Sequence, residues 1–566
     1  MERTGEKRFR YQGESLSASD GDSIASAMVR NAHLICRRND QGQGRGIFCG
    51  MGVCNECAVE VDGKPGVLAC MAAVKDGMEI SVQEQHREAP DFHDASSEVH
   101  QLPEEEIACE VVIIGGGPAG LSLAKELMRL APSTSIVIVD ERKSLGGQYF
   151  KQQQVASTKS DSQFAEGAAL IEEVRRSGVR IMSGVTIWAV FDPDHLLGYD
   201  ESRRYKFTPK ELVVATGAYE RGIPMPGWTL PGVMTTGAAQ TLLRSYSVAP
   251  GERVLIAGNG PLNLQMAAEL VRHGTEVIAL IESGRIFSPS SMIKTLALGL
   301  ISPSVALRGL GYLITVKRAR VPYLSGAALS SFSGSDRVDG ATVTDLDSMK
   351  RRATFAVDAV AMGYGFIPSN EIARNLGAEH VIDRSTRGLK TRTRLDGATS
   401  REHLWVIGDG RNINGAQVAK LRGELLATSL ASILTSNGPQ KARRIRSFIK
   451  KVALSRQLLF QEVLWRIYRS PMILDQFTTR ETVICRCLSI TKGEILDDLT
   501  SDMVSAGALK RVNRVGMGKC QGRYCSPFAQ KIVEDATGLQ PDAFSGFAPQ
   551  VPIKPTSIAN IAYPIS

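Results

Sequence analysis

Residues 109–130 read CEVVIIGGGPAGLSLAKELMRL, and residues 135–149 continue SIVIVDERKSLGGQY. An apolar run meets Gly115-x-Gly117-Pro118-Ala119-Gly120, a helical stretch follows, and a second apolar run ends in Asp140-Glu141. This order of strand, glycine turn, helix, strand and acid predicts a dinucleotide-binding βαβ unit. The glycines permit the tight turn and let a pyrophosphate approach the helix N-terminus, where free N–H groups and the helix dipole favour an anion. A carboxylate ending the second strand can bind a ribose hydroxyl; Glu141 is the expected residue, with Asp140 the second candidate.

Outward from this unit, three segments follow in order. Gly146-Gly147-Gln148 succeeds the acid, residues 212–227 (LVVATGAYERGIPMPG) carry Ala215-Thr216-Gly217, and residues 404–423 (LWVIGDGRNINGAQVAKLRG) carry Gly408-Asp409. Together they resemble the recurring signatures of pyridine-nucleotide-type flavoproteins. The resemblance implies bound FAD, with Asp409 toward the ribityl-phosphate region and the helix after it aimed at the isoalloxazine. Nested between the second and third segments, residues 252–283 (ERVLIAGNGPLNLQMAAELVRHGTEVIALIES) form a second strand-helix-strand pattern resembling the NAD(P) domain of those proteins. Gly258 and Gly260 are in place and Glu282 could meet a ribose, but Asn263 stands where a third glycine is usual. A bulkier residue there is expected to tilt the helix and weaken the pyrophosphate site. NAD(P), another adenine nucleotide and a retained scaffold are all open.

The ten cysteines gather at the two ends, with none between Cys109 and Cys485. Without a secretory signal, such clustering points to metal sites rather than a disulfide framework. The first group is Cys49-x4-Cys54-x2-Cys57-x12-Cys70. Three thiolates converge from one glycine-containing loop, and a strand, an Asp-Gly turn and a second strand return Cys70 as the fourth. Its start has the plant-ferredoxin spacing, and its short return resembles the ferredoxin modules of molybdenum hydroxylases, which implies a [2Fe-2S] cluster; zinc is the alternative. The second group is Cys485-x-Cys487, then 32 residues, then Cys520-x4-Cys525, with short helical pieces expected between the pairs. It resembles the small [2Fe-2S] domain of bacterioferritin-associated ferredoxins, with four residues rather than two between the last cysteines. Zinc or a redox disulfide is the alternative. Cys36 and Cys109 are expected to be small buried hydrophobes.

With 566 residues, 22% charged and 43% hydrophobic, the chain reads as several globular units. No apolar run reaches the ~18 residues of a spanning helix, and no leader-like segment opens the sequence, so a cytoplasmic, non-integral protein is expected. A net charge of +8 without a basic stripe interleaved with aromatics argues against nucleic acid. Lys441, Arg443, Arg444, Arg446, Lys450 and Lys451 precede LLFQEVLWRIY (458–468), predicting a basic amphipathic helix. It could pack on its own domain, dock a partner or lie on a membrane surface, including the inner membrane. Disulfide-reductase chemistry is excluded, since it needs a cysteine pair beside the flavin. His195, His273, His380 and His403 show no spacing of a metal site or nucleophilic triad, so no catalytic residue is assigned to this chain.

Across nearly its whole length the chain resembles the alpha subunits of bacterial multi-subunit amine and amino-acid dehydrogenases, a family including opine oxidase, hydrogen cyanide synthase, D-hydroxyproline dehydrogenase and heteromeric sarcosine oxidase. The likeness is carried by CGMGVCNEC (49–57), GGGPAGL (115–121) and RVGMGKCQGRYC (514–525). It implies an electron-transfer subunit with a fused ferredoxin-like module. Its partner would be an FAD-containing, D-amino-acid-oxidase-like beta subunit, with FMN as a further cofactor at the interface. A quinone, a ferredoxin-type protein or the respiratory chain would be the acceptor. The long folate-binding C-terminal portion of sarcosine oxidase alpha is missing, which disfavours sarcosine demethylation. The other reading is a self-contained NAD(P)H-dependent flavin and iron-sulfur oxidoreductase.

The expected fold is thus α/β: a two-dinucleotide-binding-domain flavoprotein of FAD/NAD(P) Rossmann-like type, between an N-terminal β-grasp ferredoxin-like domain and a small C-terminal α-helical [2Fe-2S] domain. Expected boundaries are 1–84 for the ferredoxin-like domain, 85–106 for a linker, 107–220 and 371–435 for the FAD-binding domain, and 221–370 for the nested NAD(P)-like domain. The basic helix and its connector take 436–479, the second cluster domain 480–545 and a tail 546–566.

Overall fold

The computed structural model describes residues 6–84, 102–155, 162–383, 386–435, 440–470, 475–500 and 505–561. Most of the expected linker therefore lies outside the described residues, as do the side chains of Lys441, Arg443 and Arg444.

The alternation in EKRFRY and ESLSAS buries Phe9, Tyr11, Leu16 and Ala18 on one face. These strands enter a five-stranded sheet ordered Glu14–Ser19, Glu6–Tyr11, Glu79–Val82, Ala58–Val61, Lys64–Leu68. Helix Ile24–Arg30, capped where the Ser26 N–H donates to Ser23 Oγ at 3.1 Å, packs Ile24, Ala27 and Met28 into the same core. The expected Asp62-Gly63 hairpin turn is present, with φ of 49° and 78°.

The run VVII has no polar side because its strand is buried from both faces. It lies mid-sheet in the order Arg180–Ser183, Ile136–Asp140, Glu104–Ile114, Arg204–Val214, His195–Tyr199, Thr186–Asp192, with Leu404–Val406 parallel to the end of Arg204–Val214. Helix α1, Pro118–Leu130, follows the first glycine turn. The chain then leaves into a second, all-parallel sheet ordered Val233–Thr235, Ala359–Gly363, Arg253–Gly258, Glu276–Glu282, Tyr323–Ser325. Here α2 (Pro261–His273), α3 (Pro289–Ile301) and α4 (Pro303–Arg318) connect strands. The exit and return segments, Ala218–Glu220 and Phe366–Pro368, pair antiparallel and form the neck between the two sheets.

Back in the first sheet, Leu404–Val406 leads to α5 (Ala416–Leu434), which packs on α1. The expected basic amphipathic helix is α6, Gln440–Ile467. Its Leu454 joins Val418 and Leu425 of α5, and Phe460, Ile467 and Tyr468 join Leu298 of α3, whereas Ile445, Phe448, Ile449 and Val452 are exposed. Three short helices, Lys492–Asp497, Ala506–Asn513 and Ser526–Thr537, follow, and the described chain ends in the single turn Ile558–Ile561. One apolar core unites parts distant in sequence: Phe48 and Cys54 of the first module, Ile281 and Ala328 of the nested domain, and Cys485 and Phe528 of the last. Among the described residues no helix is long and apolar enough to cross a membrane.

Candidate functional site

The four flavin-type segments meet at one place. A β-carbon at Gly115 would stand 2.4 Å from the Ala215 carbonyl, so the first glycine lies against Ala215-Thr216. One at Gly120 would stand 2.1 Å from the Gly115 carbonyl, which is why only glycine lets α1 start this close to its strand. Gly147 lies against Gly117, with half-buried Gln148 next in the chain; Gly408 lies against Ala119, and Gly410 against Thr216 and Gly217. The N-terminus of α1, beginning at Pro118, thus faces the Gly408-Asp409 turn. The Asp409 carboxylate accepts hydrogen bonds from Asn414 N at 2.9 Å and Gly415 N at 3.0 Å, fixing the turn ahead of α5. Both expected ribose carboxylates have partners within the chain. Asp140 accepts from Gly116 N at 2.7 Å and Arg142 N at 2.8 Å, and Glu141 pairs with Lys554 from the C-terminal segment.

Arg411 and Arg422 are functional candidates that no motif in the sequence singles out. Arg422 is buried, and its Nε and Nη1 find no hydrogen-bond partner; nor does Arg411 Nη1. Burial, and then the neighbouring Arg411 cation, push the Arg422 guanidinium down to about 10, while Asp409 opposes them. Buried guanidinium donors without acceptors are costly. Beside two helix N-termini, they have the chemistry to bind phosphate.

The second dinucleotide unit has the expected strands and helix. Asn263 is buried; its Oδ1 accepts from Thr236 Oγ1 at 2.8 Å and its Nδ2 donates to the Gly363 carbonyl at 3.0 Å. Gly363 makes the room, since a β-carbon there would stand 2.1 Å from Asn263 Oδ1. The asparagine is therefore a strut between α2 and its sheet. The glycine loop is covered by the end of α6: the Trp465 ring lies 3.6 Å from a β-carbon position on Gly260, Asn259 Nδ2 donates to Ser470 Oγ, and the Tyr468 carbonyl abuts Gly284. Glu282 is buried beneath this cover. It accepts from Gly260 N at 3.1 Å and Gly284 N at 2.8 Å, and burial pushes its carboxyl up to about 8 against those bonds.

The eight expected thiols are buried in two quartets. In the first, Cys49 and Cys54 are within hydrogen-bonding reach of one another, as are Cys57 and Cys70. Cys49 Sγ accepts from Cys54 N, and Cys54 Sγ from Glu56 N, each at 3.4 Å. Burial raises the Cys49 thiol, but hydrogen bonds from Cys54 and from the N–H groups of Met51 and Val53 outweigh it and bring it down to about 6. Paired thiols with N–H groups aimed at sulfur suit a two-iron cluster. In the second quartet the thiols form a run: Cys485 to Cys487 at 3.8 Å, Cys487 to Cys520 at 3.7 Å, and Cys525 against Cys485. Cys36 is buried as expected, whereas Cys109 is only half-buried. His380 Nε2 lies 3.0 Å from Thr391 Oγ1, and His403 Nδ1 lies 3.0 Å from Glu211 Oε1.

Residues 7–85 match the 2Fe-2S iron-sulfur cluster binding domain, and residues 109–300 match the pyridine nucleotide-disulphide oxidoreductase domain. The fold and site therefore define an oxidoreductase in which an iron-sulfur module is joined to a flavoprotein-type dinucleotide fold. An opine oxidase subunit from Agrobacterium tumefaciens is 29% identical, covering 80% of this chain and 91% of its own length. Hydrogen cyanide synthase subunit HcnB of Pseudomonas aeruginosa is 31% identical, covering 78% and 96%. The chain belongs to the family of these subunits. L-proline dehydrogenase from P. horikoshii shares the fold over 100% of this chain and 99% of its own, with a TM-score of 0.73 and 19% identity.

Proposed function

We propose that this chain is the FAD and iron-sulfur electron-transfer subunit of a heteromeric amine or amino-acid dehydrogenase. Its substrate class would be an opine, glycine or a proline derivative, oxidised on a partner flavoprotein. A flavin takes two electrons as a hydride and releases them singly, and each [2Fe-2S] cluster carries one. The observation that carries the reading is two buried thiol quartets sharing a core with a flavoprotein-type fold that has no cysteine pair of its own. Gly115, Gly117, Pro118, Ala119, Gly120, Gly146, Gly147, Gln148, Thr216, Gly217, Gly408 and Asp409 would hold FAD, with Arg411 and Arg422 toward its phosphates. Cys49, Cys54, Cys57 and Cys70 would hold one cluster, and Cys485, Cys487, Cys520 and Cys525 the other.

The relatives are named as subunits, which supports a partner chain. Leu296 and Leu300 of α3, Leu307 of α4 and Phe448 of α6 are exposed apolar side chains on neighbouring helices, which suits such a partner. An FMN at that interface, a quinone, ferredoxin-type or respiratory-chain acceptor, and a cytoplasmic site peripheral to the inner membrane complete the proposal. The intact βαβ frame of the nested domain is what favours a self-contained NAD(P)H reductase. The cover of Trp465, Tyr468 and Ser470 over Asn259, Gly260 and Gly284, with Glu282 buried beneath, weighs against it. The test is native anaerobic purification with identification of the co-purifying chain, followed by addition of candidate amines. Amine-dependent reduction only when a second flavoprotein is present supports the proposal; reduction of the isolated chain by NADH would overturn it.

A further inference from the structure

Each cysteine motif carries a charged residue between its own ligands, and these two residues meet. Glu56 stands between Cys54 and Cys57, Arg486 between Cys485 and Cys487, and their carboxylate and guanidinium are 3.6 Å apart and buried. The same carboxylate faces Arg37 at 2.8 Å and Arg45 at 3.8 Å. Three cations thus surround one anion at the junction of modules that lie over 400 residues apart in sequence. Arg486 is fixed there on several sides. Its Nη1 donates to the Trp228 carbonyl at 2.5 Å, and its guanidinium lies 4.0 Å from the Phe48 ring centre and 4.6 Å from that of Trp228. A cavity of about 10 Å³ opens at this point, with Cys54 on one side and Cys487, Cys520 and Cys525 on the other. Tyr524, between Cys520 and Cys525 in the chain, also lines it and rests on Phe48, next to Cys49, at 5.4 Å.

We propose that the Glu56–Arg486 contact couples the two cysteine quartets into one two-centre electron relay, with Arg486 as the positioning residue. The inference rests on both quartets holding [2Fe-2S] clusters, as proposed above. One electron would leave the reduced centre and be taken up by the oxidised one across this junction, with no bond made and no proton moved. The sequence alone places the clusters at opposite ends of the chain; the fold brings them face to face. Buried charge acts strongly over such a distance. The surplus positive charge between the sites stabilises the additional negative charge of either reduced cluster, and removing it should affect both at once.

The test is an anaerobic redox titration of the full-length chain, followed by electron paramagnetic resonance and by iron and sulfide analysis. With both centres reduced, the two signals should broaden and relax faster than either does when reduced alone. Arg486→Gln should lower both midpoint potentials, and Arg486→Lys should restore them. Two clusters whose fully reduced spectrum is the plain sum of the single ones, with R486Q shifting only the C-terminal signal, would overturn the coupling and leave the cofactor assignment standing. Fewer than two clusters by analysis would instead remove the assignment, and the coupling with it. If R486Q does not fold, the wild-type spectra alone decide.

Discussion

Trp465 lies across Gly260, the ring of one against the bare α-carbon of the other. A pyrophosphate at that glycine loop would need the space that the end of α6 fills, and Glu282 would have to leave two backbone N–H partners to reach a ribose. NADH or NADPH added anaerobically to the isolated chain should therefore leave the flavin absorbance unchanged over the time in which a true reductase bleaches. Bleaching at a rate that saturates with nucleotide would show that the cover opens.

Arg422 should matter for FAD and little for the fold. A hydrogen bond to a charged group contributes about 1.5–3 kcal/mol, so Arg422→Met should weaken FAD binding by roughly 10- to 100-fold. Because the buried donors lack partners without an anion, the same change should leave the apoprotein melting temperature level or raise it. Flavin fluorescence titration of apoprotein and thermal melts supply the two readouts. Unchanged affinity together with a destabilised apoprotein would make Arg422 structural.

The two quartets should be separable. Cys57→Ser is expected to remove about two irons and one resonance signal, Cys520→Ser another two and the other signal, and Cys36→Ala none. Iron analysis with electron paramagnetic resonance reads all three. Loss of iron in the Cys36 variant, or both signals lost in each ligand variant, would contradict the assignment of ligands.

Glu282 gives stability a pH dependence of definite sign. Burial raises its carboxyl to about 8, so the folded state holds a proton that the unfolded chain releases. The contribution is complete below an unfolded carboxyl pKa of about 4.3 and is lost as pH climbs through 8. Melting temperature should thus fall across that window more steeply in the wild type than in Glu282→Gln. Equal slopes would mean that the carboxylate is ionised in the folded protein.

The first quartet and the first glycine motif were legible in the sequence because each is local: a few residues, one turn and one strand return fix the geometry. The turn at Asp409 is local as well: its carboxylate accepts from the N–H groups of Asn414 and Gly415, five and six residues on. What escaped was long-range. Nothing near Asn263 announces that Gly363, a hundred residues later, makes room for its side chain, so bulk alone suggested a weakened helix contact. The helix that ends in Trp465 was open in the sequence to own-domain packing, partner docking or a membrane surface, and the fold lays Trp465 on Gly260 of the nested domain. Glu56 and Arg486 lie in motifs 430 residues apart, and only the shared core of the first and last modules brings them together.

The central claim is most directly tested by the composition of the anaerobically purified chain: iron, acid-labile sulfide, zinc and flavin per polypeptide. About four irons, an equal amount of sulfide and one FAD are expected. Zinc without sulfide, or a chain that binds no flavin, would contradict it.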